Sequence, residues 1–227
     1  LKKPKIEPLG DAAAYVEFSE TLDLEANAML PALAARIRAR NLPWIRDAVP
    51  ALAGISLHFD PDALPPDPMA EVARVLEQVS ETRTDSDAPA RLIEVPVCYD
   101  PHFALDLVEV SGQTGVAPED VARLHAAREH RVLMVGFSPG QPYLGGLEPK
   151  LAVPRRATPR IRVPAGSVAI ANLQTAVYPF EIAGGWSVIG RTPLVLFDPV
   201  RDPPSLFAPG DRVRFVPISR ADYERLR

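Results

Sequence analysis

After Arg131, glycine and proline punctuate this chain so densely that it is held to short strands joined by tight turns. Arg131 to Val135, Ile161 to Val163, Val168 to Ala171, Trp186 to Ile189, Leu194 to Phe197 and Val213 to Val216 are apolar runs bounded by these residues, the pattern expected of a barrel or sandwich. The densest stretch is Gly136-Phe137-Ser138-Pro139-Gly140-Gln141-Pro142-Tyr143-Leu144-Gly145-Gly146. Pro164-Ala165-Gly166-Ser167 has the same character, as does Gly184-Gly185-Trp186 running on to Ile189-Gly190-Arg191-Thr192-Pro193. Glycine reaches backbone angles closed to other residues and lets a ligand approach the main chain, while proline freezes the turns between. Proline, at 26 residues, is about twice its usual share. Backbone shaping on this scale predicts a binding site made of loops.

The N-terminal part has a different texture. Ala12 to Phe18 reads as a strand, and Asp23 is placed to cap a helix with Met29, Leu30, Leu33 and Ile37 on one face and a kink at Pro31. Trp44 to Val49 and Ile55 to Phe59 read as strands about a turn at Pro50 to Gly54. Asp67-Pro68 opens a second helix, with Met69, Val72, Ala73, Leu76 and Val79 at helical spacing. A polar run, Glu81 to Ala90, leads to a strand in which Ile93, Val95, Val97 and Tyr99 alternate. The order βαββαβ predicts a ferredoxin-like domain over residues 1–98, leaving 99–227 for the turn-rich domain. There Leu105 to Ser111 and Pro118 to Arg128 read as two short helices ahead of the strands, so the fold class expected is α+β.

Composition removes several functions. A formal charge of -4 gives no general attraction for nucleic acid or anionic lipid, and the helix from Pro118 that could enter a DNA groove opens on two acids. Cys98 is the only cysteine, which excludes an internal disulfide and a cysteine-built metal site. His58, His102 and His130 lack ligand spacing, so no protein-held metal is expected. Neither a G-x-x-x-x-G-K-[ST] loop nor a G-x-G-x-x-G between strand and helix is present, so this chain is not expected to hold ATP alone. Without an apolar run of membrane-spanning length, a soluble cytoplasmic protein is the expectation.

Gly136-Phe137-Ser138-Pro139-Gly140 matches the G-x-S-x-G elbow of serine hydrolases in letters only. Pro139 has no N–H to give an oxyanion, and Gly140-Gln141-Pro142 cannot open a helix smoothly. A shaped loop presenting Gly136, Phe137 and Pro139 to a substrate is the better reading. His125, within a helix, is a candidate catalytic base or donor, with a locally bonded internal histidine as the equal alternative. Arg155, Arg156, Arg160 and Arg162 form the one strong basic cluster, and guanidinium forks suit carboxylate or phosphate oxygens. Along an extended segment at most one of Arg155 and Arg156 faces a pocket, and Arg156 is taken as the contact. Arg191, held between Gly190 and Thr192-Pro193, is the strongest single catalytic cation. Tyr143, Gln174, Thr175, Tyr178, Trp186 and Thr192 supply polar contacts and an aromatic wall, with plain barrel packing as the competing account.

Together, Gly136-Phe137 with Pro139-Gly140, Tyr143-Leu144-Gly145-Gly146-Leu147, Pro154-Arg155-Arg156 with Pro159-Arg160, Pro164 to Val168, Gln174-Thr175 with Tyr178-Pro179, and Gly185-Trp186 to Pro193 resemble the allophanate hydrolase subunit 1 family. That family includes the B subunit of 5-oxoprolinase, KipI-type sporulation-kinase inhibitors and one half of the carboxyltransferase region of urea carboxylase. The resemblance implies a cyclophilin-like β-barrel as the C-terminal domain. It also implies an obligate partner of homologous fold, the C subunit from the allophanate hydrolase subunit 2 family, which together with an A subunit would act on a small lactam or amide. ATP with Mg would be used at the level of that complex, to phosphorylate the ring amide oxygen of 5-oxoproline before water opens it to glutamate. A KipI-like kinase inhibitor and half of a biotin-dependent carboxyltransferase are the alternatives. Gln141 stands where family members commonly carry Phe, and Asn172 and Ala176 stand where they carry Gly.

Overall fold

The computed structural model describes residues 4–81 and 90–227, so the polar run expected over 81–90 lies, from 82 to 89, outside the described residues. The chain divides into two compact units, Leu1–Pro89 and Ala90–Arg227. Among the described residues no helix is long and apolar enough to cross a membrane.

In the first unit, β1 (Lys5–Pro8), β2 (Ala13–Glu17), β3 (Ile45–Pro50) and β4 (Gly54–Phe59) form an antiparallel sheet in the order β1-β2-β4-β3. The helix α1 (Leu24–Ala39) begins where the Asp23 carboxylate accepts the N–H groups of Glu25 and Ala26 at 2.9 and 3.1 Å, the expected cap. It buries Leu30, Leu33, Ala34 and Ile37, while Met29 is exposed rather than on the core face, and the helix continues past Pro31. Asn27, also buried, donates from Nδ2 to the carbonyls of Ala51 and Leu52 at 3.2 and 3.1 Å, tying α1 to the β3–β4 turn. α2 (Pro68–Glu81) adds Val72, Val75, Leu76 and Val79 to a core completed by Val16, Trp44, Ile55, Leu57 and Phe59.

The strand expected to finish this unit lies elsewhere. β5 (Leu92–Val97) pairs in parallel with β13 (Arg212–Pro217), in register from Leu92↔Arg212 to Val97↔Pro217, so it belongs to the second unit. The break therefore falls at 89/90, not at 98/99. The place beside β2 that a fourth ferredoxin-like strand would take is filled by β1, whose four residues are too few to display alternation. The order of the first unit is ββαββα, and the βαββαβ expectation is corrected accordingly.

The second unit continues with α3 (Leu107–Thr114), α4 (Pro118–Ala126), β6 (Glu129–Val135), β7 (Pro142–Gly145), β8 (Arg160–Val163), β9 (Ser167–Ala171), β10 (Gln174–Val177), β11 (Ile182–Gly184), β12 (Ser187–Arg191), then β13 and α5 (Arg220–Leu226). Seven strands run in the order β12-β9-β10-β7-β6-β13-β5, and β8 pairs with β11 apart from them. The sheet curls until its edges meet: Cys98, just past β5, and Arg191 of β12 each donate a backbone N–H to the other's carbonyl at 2.9 Å. This is a mixed α+β unit with a curled half-barrel sheet, in keeping with the cyclophilin-like expectation. Leu194 to Phe197 is not a strand and makes only the bridge Phe197↔Ser205.

Strand alternation sorts the side chains into two cores. Val168 and Ile170 of β9, Leu144 of β7, Val177 of β10 and Ile189 of β12 join Val110, Val121 and Phe215 on one face. Each such aliphatic side chain contributes about 1.5–3 kcal/mol on burial. Ala169, Ala171, Ala176 and Val188 lie on the other face with Val163, Tyr178 and Trp186, and Tyr143 packs against them.

Candidate functional site

β6 and β7 are joined by the loop 136–141. Ser138-Pro139-Gly140-Gln141 is a type II turn, with proline second, Gly140 third at φ 75°, and the Gln141 N–H donating to the Ser138 carbonyl at 3.1 Å. The Gly136 N–H closes the loop on the Gln141 carbonyl at 3.0 Å. A Cβ on Gly140 would stand 2.8 Å from Cβ of Phe197, so space as well as conformation demands glycine. Phe137 holds a left-handed φ of 69°, at a cost of roughly 1–3 kcal/mol for a residue other than glycine, and is 73% exposed. Pro139 is exposed beside it. The loop leads into a strand, not a helix, as the argument against a nucleophilic Ser138 requires.

Across the second core the side chains form an aromatic wall. Tyr143 and Trp186 meet edge to face with ring centroids 5.5 Å apart, and the Arg155 guanidinium lies 5.8 Å from the Trp186 ring centre. Ala169, Ala171 and Ala176 keep the surface beneath them low, and half-buried Gln174 shares the β10 face of Ala176. Gly184 makes room for Tyr178, because a Cβ there would fall 2.3 Å from the phenol oxygen. Burial pushes the Tyr178 phenol up to about 12, with Arg155 acting in the opposite direction. Burial also raises Tyr143, so at neutral pH both present neutral hydroxyls. The loop connects to this wall through Gln141, whose Nε2 donates to the Tyr143 hydroxyl at 3.3 Å.

The arginines divide by partner. Asp106, 2% exposed, accepts Nη1 of Arg156, Nη1 of Arg160 and the Val188 N–H, each at 2.7 Å, and Arg156 also pairs with Glu109. Arg162 pairs with Glu181 at 3.4 Å. Arg156, expected as a substrate contact, is thus engaged by Asp106 and Glu109. Arg155, exposed and with no acid partner among the described residues, is the cation on the aromatic wall. Alternation signalled that at most one of the adjacent pair would face a pocket; the structure sets Arg155 over Trp186 and Arg156 on Asp106. Arg191, at the far end of β12 from Trp186, donates Nε–H to the Ala165 carbonyl at 2.7 Å and has no acid partner among the described residues. Thr192 is buried, gives its N–H to the Gly166 carbonyl at 2.9 Å and accepts the Leu194 N–H on Oγ1, so it builds a turn and does not present a contact.

His125 is fully buried in α4. Its Nδ1 lies 2.7 Å from the Tyr99 hydroxyl and its Nε2 3.1 Å from Oγ1 of Thr175 in β10. Burial, with His130 nearby, holds it well below the ordinary histidine value, and burial keeps Tyr99 a phenol. The Nε2–H of His130 donates to the His125 carbonyl at 3.0 Å. With both nitrogens engaged and the side chain fully buried, His125 fits the internal histidine of the two readings. Of the residues picked from sequence, Tyr143, Gln174, Tyr178 and Trp186 come together with Arg155. Gly136, Phe137 and Pro139 join them through the loop, while His125, Arg156 and Thr192 serve the framework.

A model of the carboxyltransferase domain, subdomains C and D, matches residues 4–207. The B subunit of 5-oxoprolinase from Bacillus subtilis (strain 168) is 40% identical over 96% of this chain and 95% of its own. That of Escherichia coli O157:H7 is 40% identical over 92% of this chain and 94% of its own. The crystal structure of TTHA0988 superposes with a TM-score of 0.79 at 40% identity, covering 91% of this chain. This chain spans only 40% of that longer one. Kluyveromyces lactis urea amidolyase, at 20% identity and a TM-score of 0.80 over 99% of this chain, shares the fold.

Proposed function

Because this chain belongs to the carboxyltransferase subdomain C and D family, we propose that it is the B subunit of an ATP-dependent 5-oxoprolinase, working with a C subunit of homologous fold and an A subunit. The observation that carries the reading is the 40% identity, over 96% of this chain, to a protein named as the B subunit of 5-oxoprolinase. On this reading the curled sheet is a cyclophilin-like barrel, and its aromatic wall is one side of a pocket that the partner closes.

The substrate's two handles suit what the wall carries. Arg155 takes the carboxylate of 5-oxoproline, Trp186 and Tyr143 pack against its ring, and the neutral phenols of Tyr143 and Tyr178 donate to its polar edge. Packing aromatic groups around the lactam also excludes bulk water until the ring is activated. An unstrained lactam resists water, and activation is assigned to the complex, where ATP with Mg is bound. Among the described residues no three His, Cys, Asp or Glu side chains are grouped to hold a metal ion, and Arg156 and Arg160 are committed to Asp106. No phosphoryl-transfer step is therefore routed through this chain, which binds and orients.

Mixing this chain with its C and A partners and following glutamate release from 5-oxoproline tests the proposal. Release that requires ATP and every component is expected, and silence from the complete set sinks it. The family description favours one second reading, half of a biotin-dependent carboxyltransferase acting on a urea-like amide. Carboxylation of such an amide by biotin-linked carboxylate, without glutamate release, would select it.

A further inference from the structure

Two polar atoms in the β6–β7 loop are sealed from solvent with no partner among the described residues: Oε1 of Gln141, a residue 2% exposed, and Oγ of Ser138. The other end of the Gln141 carboxamide is already committed to the Tyr143 hydroxyl. A buried polar atom left unsatisfied costs about 1–3 kcal/mol, and here the cost falls twice within one loop. The same loop bears the left-handed Phe137. Unsatisfied polarity and backbone strain gathered in one short connection mark a segment shaped for something it binds.

The turn brings the two residues close together. Ser138 and Gln141 are its first and fourth residues, whose Cα atoms lie within about 7 Å in any β-turn. Their chemistry is complementary as well. A serine hydroxyl donates to a carbonyl oxygen, and a carboxamide oxygen accepts an N–H. Lactams and ureas present a carbonyl oxygen and an N–H side by side on one edge, whereas a trans amide points them in opposite directions.

We propose that Ser138 and Gln141 read the cis-amide edge of a lactam- or urea-type ligand, with Tyr143, Trp186 and Arg155 as the adjoining wall. The proposal rests on the reading above only in that the ligand is a small amide. It assigns specificity to two residues that touch the amide edge and carry no covalent step. Both atoms are sealed from solvent, so a ligand reaches them only if the loop shifts, and the strain at Phe137 reduces what that shift costs.

Calorimetric titration of the full chain with 5-oxoproline, N-methyl-5-oxoproline and proline tests it. The wild-type chain should bind 5-oxoproline about tenfold more tightly than the N-methyl form, as expected for one buried hydrogen bond, and proline more weakly still. Gln141→Leu should bind both lactams with equal, weakened affinity and melt no lower than wild type, because it removes an unsatisfied buried atom. Ser138→Ala should weaken both lactams by the same factor, which keeps the test intact if Gln141→Leu fails to fold. Equal binding of the two lactams by wild type, discrimination that survives Gln141→Leu, affinity unchanged by Ser138→Ala, or no binding of 5-oxoproline overturns the proposal. Turnover by the complex with the N-methyl discrimination intact in Gln141→Leu would remove the loop assignment and leave the enzyme reading standing. Lactam binding through Gln141 without ATP-dependent turnover would do the reverse.

Discussion

Asp106→Asn is the perturbation that most sharply separates structural arginines from binding ones. The Asp106 carboxylate is 2% exposed and accepts from two guanidinium groups and the Val188 N–H, while its own N–H donates to the Val188 carbonyl at 2.8 Å. It thereby joins the start of α3 to β8, β12 and the segment around Arg156. An asparagine keeps the volume and one acceptor but removes the charge that two arginines share. Breaking a buried ion pair by altering one partner costs about 3–5 kcal/mol. The Arg156 and Arg160 side chains retain 23% and 26% of their exposure, so water recovers part of the loss and the lower end, about 3 kcal/mol, is expected. For a chain of this length that corresponds to a melting temperature lower by about 6–12 °C. Urea unfolding followed by circular dichroism should show the midpoint fall with the slope unchanged. A loss below about 1 kcal/mol would refute the account of the arginine cluster as an internal framework.

Gly166 holds φ at 79°, and a Cβ there would meet the Thr192 carbonyl oxygen at 2.3 Å, so Gly166→Ala should cost more than about 2 kcal/mol. Gly112, inside α3 with nothing within 4 Å of its Cβ position, should gain about 0.5–1 kcal/mol as alanine; parallel urea unfolding checks both. Burial keeps His125 and His130 neutral, below the ordinary 6.5, whereas the unfolded chain takes up protons at that value. Their contribution to stability is therefore complete above about pH 6.5 and is lost as pH falls below it, so the melting temperature should decline from about pH 7 to about pH 5. A flat profile would contradict their burial as neutral groups. Arg155→Ala should raise KM for 5-oxoproline at least about tenfold in the assembled enzyme without lowering the melting temperature.

Local chemistry made much of this fold legible. The Asp23 cap, the Asp67-Pro68 helix start and the short apolar runs of β4 and β9 each carry their signal within a few residues, and the structure has them where the pattern puts them. What escaped is long-range. β5 alternates as a strand wherever it docks, and its pairing with β13, well over a hundred residues later in the chain, cannot be read from its own residues. β7 and β10 were hidden by Pro142, Gly145 and the polar Gln174-Thr175, and Leu194 to Phe197 misled because its apolar run serves packing without a ladder. In the site, the aromatic wall was visible as residue types around glycine motifs. The division of labour among the arginines was not, since it depends on Asp106, which lies about fifty residues away in sequence. His125 looked like a base because the sequence shows a titratable ring but not the Tyr99 and Thr175 groups that enclose it.

The most direct measurement is a crystal structure of the assembled complex with 5-oxoproline bound. The account predicts the lactam ring against Trp186 and Tyr143 with its carboxylate on Arg155. A ring held entirely by the partner proteins, with Arg155 still facing solvent and Trp186 still packed within its own core, would contradict it.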